Sequence, residues 1–444
     1  MKCILFNSPI YRKRSNVEEE YLPPLGLGYI ATHIMESGVD VNIVDCVKER
    51  FGVDEVFGLL RQEKPEYIGI NVFSQNYETV KEIVEGCPIT ATIIIGGQVV
   101  KHIYSEVIKW TINNRLILII GEGELILPAI INGNCSEKPF YNTTGKEIYW
   151  VDKNSNYYPR DLGLVHLDRS LLEGDIVTNH YSEREASIIT SRGCMYNCAF
   201  CGGARNLNKD VSIRYRNISE VECEIHEIVV AHPEVTSIRV LDDLFLRDET
   251  SISNAIEMFK DHTQLSWRGM AHILTFAKSL ETLPHLKTSG CRELFFGIES
   301  GSEAIRKKIR KPGTVRQVED VVTAVLKSGI DVKCYFMYGF PSETLTDADA
   351  TYALASRLKD AAQNTNGHFR LSVFQFRPYH GTQLYNEIVA SGREIRPMGS
   401  NDSLNIINGR SQFNFQSGNY SEIADNILDE YILKTQSLSV APHV

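Results

Sequence analysis

Apolar positions in the first 130 residues alternate between two patterns. Short unbroken apolar runs have the length and composition of buried strands: KCILFN (Lys2 to Asn7), VNIVD (Val41 to Asp45), EYIGINVF (Glu66 to Phe73), ATIIIGG (Ala91 to Gly97) and RLILIIGEGE (Arg115 to Glu124). Between the first two, Leu27, Ile30, Ala31, Ile34 and Met35 recur at helical spacing until Gly38 ends the pattern. Strands separated by helices predict a parallel doubly wound sheet of Rossmann type over 1–133. Ligands of such a sheet bind outside the carboxyl ends of its strands, here the loops after Phe73, Gly97 and Ile120.

Residues 134–184 lose this periodicity and gather Asn, Lys, Tyr and Asp, which reads as a linker with room for a hairpin. Alternation resumes over 185–394. Strands are predicted at Ala186 to Thr190, Ser237 to Leu241, Leu265 to Met270, Glu293 to Ile298, Asp331 to Tyr338 and Phe369 to Phe376. Val318, Val321, Val322, Val325 and Leu326 share one helix face, which Ser328-Gly329 closes. Six strand–helix units predict a partial barrel, two units short of closure, with functional residues at the strands' C-terminal ends. Residues 395–444 form a C-terminal extension whose clear helix is YSEIADNILDEYIL. The expected fold class is therefore α/β, a doubly wound sheet followed by a partial (β/α)6 barrel.

Composition narrows the function classes. The 444 residues are 43% hydrophobic and 23% charged, ordinary values for a globular chain of two or three domains. A net charge of -10 supplies no general basic field for a phosphate backbone, so small molecules or peptides fit better as substrates than nucleic acid. No apolar run reaches the roughly 18 to 20 residues of a membrane span, and the N-terminal apolar run is too short for a secretory signal. A cytoplasmic location is expected.

Ten cysteines are mostly scattered, but CMYNCAFC places Cys194, Cys198 and Cys201 on one glycine-flanked loop after a strand. Structural zinc takes four ligands, so it requires a distant fourth, for which Cys223 and His226 are recruits. A disulfide fails on compartment and parity, and packing does not call for cysteine in such a loop. An iron–sulfur cluster uses thiolates as its usual ligands, and three thiolates for four irons leave one iron open.

At this spacing the segment resembles the radical S-adenosylmethionine (SAM) enzymes, whose CxxxCxxC loop is matched by Cys194, Cys198 and Cys201, with Phe200 before the third cysteine. The resemblance implies that these cysteines hold a [4Fe–4S] cluster whose open iron chelates SAM. Reduction then yields a 5'-deoxyadenosyl radical that abstracts hydrogen from a substrate. It further implies that Gly202 and Gly203 let backbone approach the methionine moiety, and that Asp242, with Asp243, marks the second strand's end. FFGIESGSE matches the segment whose acid and hydroxyl, here Glu299 and Ser300, approach the ribose. CYFMYGFPSET matches the segment whose backbone, here at Met337 and Tyr338, lies along the adenine. FRPYHGTQLY matches a pyPGTplY-type segment with His380 in place of proline.

The first sheet resembles the cobalamin-binding domain of the B12-dependent branch of this superfamily, through PPLGLGYIATHI, PEYIGINVFS, IIIGGQ and IIGEGE. Cobalamin is thus a candidate cofactor, and an external donor such as flavodoxin or ferredoxin is the implied reductant. Two departures bear on this. No DxHxxG follows the first strand, so no histidine stands as a lower cobalt ligand, and Gln98-Val99-Val100 form a bulkier turn that would fill the cleft. Cobalamin-dependent C-methylation, in natural product biosynthesis, is the leading chemistry. Epimerisation or dehydration above a vestigial first sheet is the alternative, with Cys334 as candidate hydrogen-atom donor against the plainer reading of a buried core thiol. His272, at a place where arginine is common among members of the family it resembles, is weighed between orienting substrate and sitting satisfied in the core. A noncatalytic maturation partner does not need an open iron, and tRNA methylthiolation calls for three further cluster cysteines that Cys3, Cys46 and Cys87 are too far apart in the chain to supply.

Overall fold

The computed structural model describes residues 1–12, 21–143, 145–396 and 418–439. These divide into two units: one holds 1–175, 208–212 and the segment from Pro378, the other 176–207, 213–377 and the chain from Gly418.

In the first unit the expected order appears: β1 (Lys2–Asn7), α1 (Leu25–Glu36), β2 (Asp40–Asp45), α2 (Val53–Glu63), β3 (Tyr67–Asn71), α3 (Tyr77–Glu85), β4 (Thr92–Gly96), α4 (Val100–Val107), β5 (Arg115–Gly121) and α5 (Ile126–Ile131). β6 (Tyr141–Thr143) and β7 (Lys146–Val151) complete a seven-stranded sheet of order β2-β1-β3-β4-β5-β7-β6, parallel except for β6. The segment expected as a linker therefore extends the sheet. Ile148, Tyr149 and Val151 of β7 are buried among the same apolar groups as β5, which period-two reading of a Lys- and Tyr-rich stretch underrates. Alternate side chains of each strand bury on opposite faces, Ile4 and Phe6 on one, Cys3 and Leu5 on the other.

The second unit opens with β8 (Val177–Thr178), β9 (Arg184–Ile188), the short ribbon of β10 (Ser191–Arg192) and β11 (Arg214–Tyr215), and α6 (Ile218–Ala231). It continues through β12 (Ser237–Val240), α7 (Glu249–Phe259), β13 (Ser266–Ala271), α8 (Ile273–Phe276), α9 (Leu283–Thr288), β14 (Cys291–Glu299), α10 (Glu303–Lys308), α11 (Val315–Lys327), β15 (Asp331–Tyr338), α12 (Leu345–Ala362) and β16 (Phe369–Gln375). The sheet runs β16-β15-β14-β13-β12-β9-β8, with the six strands from β9 to β16 parallel: the expected open half-barrel. α13 (Gln383–Ala390) returns to the first unit, whereas α14 (Asp425–Gln436) belongs to the second. There the Gln436 carboxamide accepts from Val373 N–H and donates to Leu371 C=O, blunting the β16 edge.

α11 shows how local sequence sets these elements. Thr314 caps it in a reciprocal box with Gln317, and its buried residues are Val318, Val321, Val322, Val325 and Leu326, each contributing roughly 1.5–3 kcal/mol. Beneath the strands, Arg268 pairs with Glu185 and Glu293, and Glu293 with Arg370 at 2.7 Å, joining β9, β13, β14 and β16. Burial alone raises a glutamate's pKa, but Arg370 and Arg268 outweigh it and hold Glu293 below its usual range. No helix among the described residues is long and apolar enough to cross a membrane.

Candidate functional site

The cysteine loop leaves the sheet where β9 ends, and Asp242 fixes its start. The Asp242 carboxylate, buried beyond β12, accepts from Thr190 N–H at 2.7 Å, Thr190 Oγ1 at 2.6 Å and Ser191 Oγ at 2.5 Å. Burial raises its pKa against the pull of those bonds. The structure thus places Asp242 as a tether of the loop, with Asp243 beside it accepting Gly193 N–H at 3.3 Å. Gly193 sits at φ +97, a turn that favours glycine. Ala199 N–H donates to Ile309 C=O at 2.8 Å, which ties the loop to the end of α10.

Within the loop, backbone N–H groups point at sulfur. Cys194 accepts from Tyr196 and Met195, and Cys201 from Gly203. Burial raises the pKa of all three thiols, Cys201 to about 12; neighbouring cysteines add to it at Cys198 and Cys201 and Asp243 at Cys194, while Lys311 works the other way at Cys194 and Cys198. Free thiolates are therefore unfavourable here, whereas a bound metal removes both penalties as the protons leave. Three thiols on one loop, each facing N–H donors or a buried ammonium, are a donor set that fits an iron–sulfur cluster. Among the described residues no group of three or more Cys, His, Asp or Glu side chains is gathered closely enough to hold a metal ion, the three thiols included. Phe200 lies edge-on to Phe340 at 5.7 Å. A Cβ on Gly203 would meet Cys201 Sγ at 3.6 Å and Asp243 at 3.8 Å, ordinary contacts that leave the turn uncrowded.

The opposite side of the centre comes from the end of β14. Its register breaks between Gly297 and Glu299, and Glu299 is held at φ +66. The Lys311 ammonium donates to Glu299 Oε1 at 3.1 Å, both side chains being about nine-tenths buried. Burial works against that ammonium, but Glu299 and then Cys198 outweigh it and raise its pKa. Lys311 is the residue that motif reading passed over: its position three residues before Thr314, in KPGT, carries no signal of its own. A Cβ on Gly297 would stand 2.5 Å from Glu299 Oε1 and 2.8 Å from Lys311 Nζ, so glycine is what lets this pair lie across the strand end.

Other expected residues are placed differently. Ser300 is 0% exposed and bonds to Thr351 Oγ1 on α12 at 3.0 Å, so its hydroxyl holds the β14–α10 turn onto α12. The Tyr338 hydroxyl meets Thr435 of α14 at 2.7 Å, leaving only its backbone on the strand-end side, while Met337 shares a sheet face with Tyr335. Cys334 is registered against Phe296 and Leu371, in the buried apolar layer with Val332 and Phe336. The aromatic groups on the other face are Phe295, Tyr335 and Phe374. Burial alone pushes the Cys334 thiol up. This is the placement of a core thiol, away from the face that carries Gly297 and the Glu299–Lys311 pair.

On the first unit, the turn after β4 differs from expectation. Val99 and Val100 point into the core, and Gln98 is exposed, so the bulk of this turn is spent on packing. A Cβ on Gly96 would meet nothing within 4 Å, whereas Gly97, at φ +124, lies against the Val72 backbone. His380 packs on the loop after β3: Ser74 Oγ lies 2.9 Å from its Nδ1 and accepts its backbone N–H at 3.1 Å.

Comparisons with known proteins match both units of the chain. Residues 188–355 match the radical SAM superfamily model and residues 16–131 the B12 binding domain model. The chain is 28% identical over 403 residues to uncharacterized methyltransferase PH0819 of Pyrococcus horikoshii, covering 88% of this chain and 84% of that protein. It is 22% identical to cytidylyl-2-hydroxyethylphosphonate methyltransferase of Streptomyces wedmorensis, covering 83% of this chain and 78% of that one. Its fold is similar to that of the radical SAM methyltransferase TsrM from Kitasatospora setae, with a TM-score of 0.61 at 16% identity over 88% of this chain and 75% of TsrM. The cobalamin-dependent radical SAM enzyme OxsB gives a TM-score of 0.64 at 15% identity over 94% of this chain and 64% of OxsB. The chain therefore belongs to the radical SAM superfamily of [4Fe–4S]- and SAM-dependent enzymes, in the branch that carries an N-terminal B12-binding domain.

Proposed function

We propose that this enzyme is a cobalamin-dependent radical SAM methyltransferase acting on carbon of a small-molecule or peptide substrate in specialised metabolism. One observation carries the reading: a single chain joins the three-thiol loop to a B12-binding-type sheet whose β4–α4 turn is open at Gly96, with Val99 and Val100 withdrawn into the core. The methyltransferase names of its relatives support it. When bound, the cluster supplies the electron that cleaves SAM, and the corrin carries the methyl group.

The chain's own residues divide the remaining work. Cys194, Cys198 and Cys201 hold the cluster, and Asp242 holds their loop against β9. Gly202 and Gly203 let backbone close on the methionine end of SAM. Glu299, held in place by Lys311, takes a polar group of the nucleoside, and the strand end at Met337 and Tyr338 flanks its base. An external flavodoxin or ferredoxin is the reductant in this reading. The epimerase alternative loses its main support with Cys334 in the helix-covered layer.

The test is anaerobic cluster reconstitution with excess hydroxocobalamin, desalting, and measurement of absorbance with iron content. About four irons and near-stoichiometric cobalamin are expected. Four irons without cobalamin would overturn the methyltransferase reading and leave the radical SAM assignment standing.

A further inference from the structure

His272 is the side chain at this centre whose hydrogen bonding is half complete. It follows β13 directly and is 6% exposed. Its Nδ1 accepts the Leu274 N–H at 3.1 Å, capping α8, which fixes the neutral tautomer that carries its proton on Nε2. That Nε2 is buried and has no partner among the described residues. A buried donor left so has lost its water without replacing it.

The ring's surroundings indicate what would complete it. It lies nearly flat on Tyr196, centroids 4.0 Å apart and planes at 26°, and Tyr196 stands between Cys194 and Cys198 in the cluster loop. Its charged neighbours are Lys311 and Arg306; burial first, then these two cations, push its pKa down to about 3, so the ring is neutral at any working pH. Both cations are already committed. Lys311 holds Glu299. Arg306, 2% exposed, donates to the carbonyls of Ile298, Ser300, Pro312 and Gly313. The corner thus offers a positive field and one unspent N–H, beside the loop that the radical SAM assignment gives to the cluster. A carboxylate suits both, since a charged acceptor makes the stronger bond.

We propose that His272 donates its Nε2–H to the methionine carboxylate of SAM, with Tyr196 and the Leu274 cap holding the ring in the orientation that makes this contact. The inference rests on the radical SAM assignment and is independent of cobalamin. It gives a histidine an anion-binding duty, and it uses a donor that is neutral.

The test uses the full-length protein with its cluster reconstituted anaerobically. SAM is titrated into the dithionite-reduced protein, and binding is followed by the change in the cluster's electron paramagnetic resonance spectrum. H272N keeps an oxygen for the cap and removes the far donor; H272Q restores an N–H further out. H272N is expected to keep its iron content and SAM-free spectrum while the SAM dissociation constant rises by about tenfold, and H272Q to recover part of that loss. A change smaller than roughly threefold in H272N overturns the proposal. So does a shifted SAM-free spectrum with unchanged SAM affinity, which would assign the N–H to a cluster sulfur. Loss of iron from both variants also overturns it, because the ring would then be holding the loop through Tyr196 alone. Failure of the unsubstituted protein to hold a cluster is a different result and defeats the reading on which the inference rests.

Discussion

Replacing Lys311 with Met removes the cation from a buried pair and leaves Glu299 alone. At 3.1 Å the direct attraction is about 5 kcal/mol for an effective dielectric of ~20. Desolvation of two side chains that are 11% and 10% exposed consumes much of that in forming the pair. Removing one partner is a harsher change, because the other's desolvation is no longer compensated: K311M should lower stability by about 3–5 kcal/mol. In a unit of this size that is roughly 6–20 °C in Tm. The double variant E299Q/K311M removes both charges and should recover about half of the loss. The penalty should hold throughout the neutral range: the pair raises the lysine above its ordinary 10.5, so its contribution is fully present below that value and is lost only as pH rises through the folded-state pKa. Calorimetric unfolding of the four proteins of this cycle is the assay. A coupling within about 0.5 kcal/mol of zero would refute the reasoning, since independent sites add to that margin.

Three further outcomes follow from the structure. In the iron-free protein a thiol reagent should label exposed Cys223 and the half-buried Cys194, Cys198 and Cys201 before Cys334, which is 0% exposed with its pKa raised by burial; mass spectrometry of native and unfolded protein separates the classes. Gly97→Ala places a Cβ 2.3 Å from Val72 O at φ +124 and should unfold the first unit at ordinary temperature, whereas Gly96→Ala meets nothing within 4 Å and should leave Tm unchanged while lowering cobalamin retention. His102 and His380, both pushed down to about 4 by burial, stay neutral in the fold while their unfolded counterparts take up protons. Stability should therefore be fully present above pH 6.5 and decline as pH falls toward about 4, a trend that thermal unfolding at constant ionic strength will show and that H380F should reduce.

Much of this is legible in the sequence, for a physical reason that also marks the limit. β15 spans Asp331–Tyr338 as read, and α11 buries the five residues its spacing selected, because each is a local periodicity enforced by one buried face. Cys334 is settled by its neighbours in the fold: Val332, Cys334 and Phe336 are buried on one face of β15 and alternate with Lys333, Tyr335 and Met337 on the other. What escaped depends on contacts distant in sequence. Asp242 meets Thr190 across 52 residues, Tyr338 meets Thr435 across 97, and Arg268 meets Glu185 across 83. A motif names Asp242 and Ser300 as residues of the site; only the fold shows that their polar atoms are spent holding the loop and the turn in place.

That division of labour explains why the site can hold a strained residue. Glu299 adopts φ +66 at a register break, a conformation worth of order 1–3 kcal/mol for a side chain of its kind. Two neighbours make it persist. Arg306 grips the carbonyls of Ile298 and Ser300 on either side, so relaxing Glu299 toward an extended conformation would break bonds to a buried guanidinium. Gly297 leaves the space through which Lys311 reaches the carboxylate. The strain aims Glu299 across the strand end toward the ammonium that also faces Cys198, where an ordinary strand residue would point into either the lumen or the helix layer. A carboxylate and an ammonium are thereby fixed beside the cysteine loop in the ligand-free chain; if SAM binds there as proposed, the entropy of ordering them is already spent.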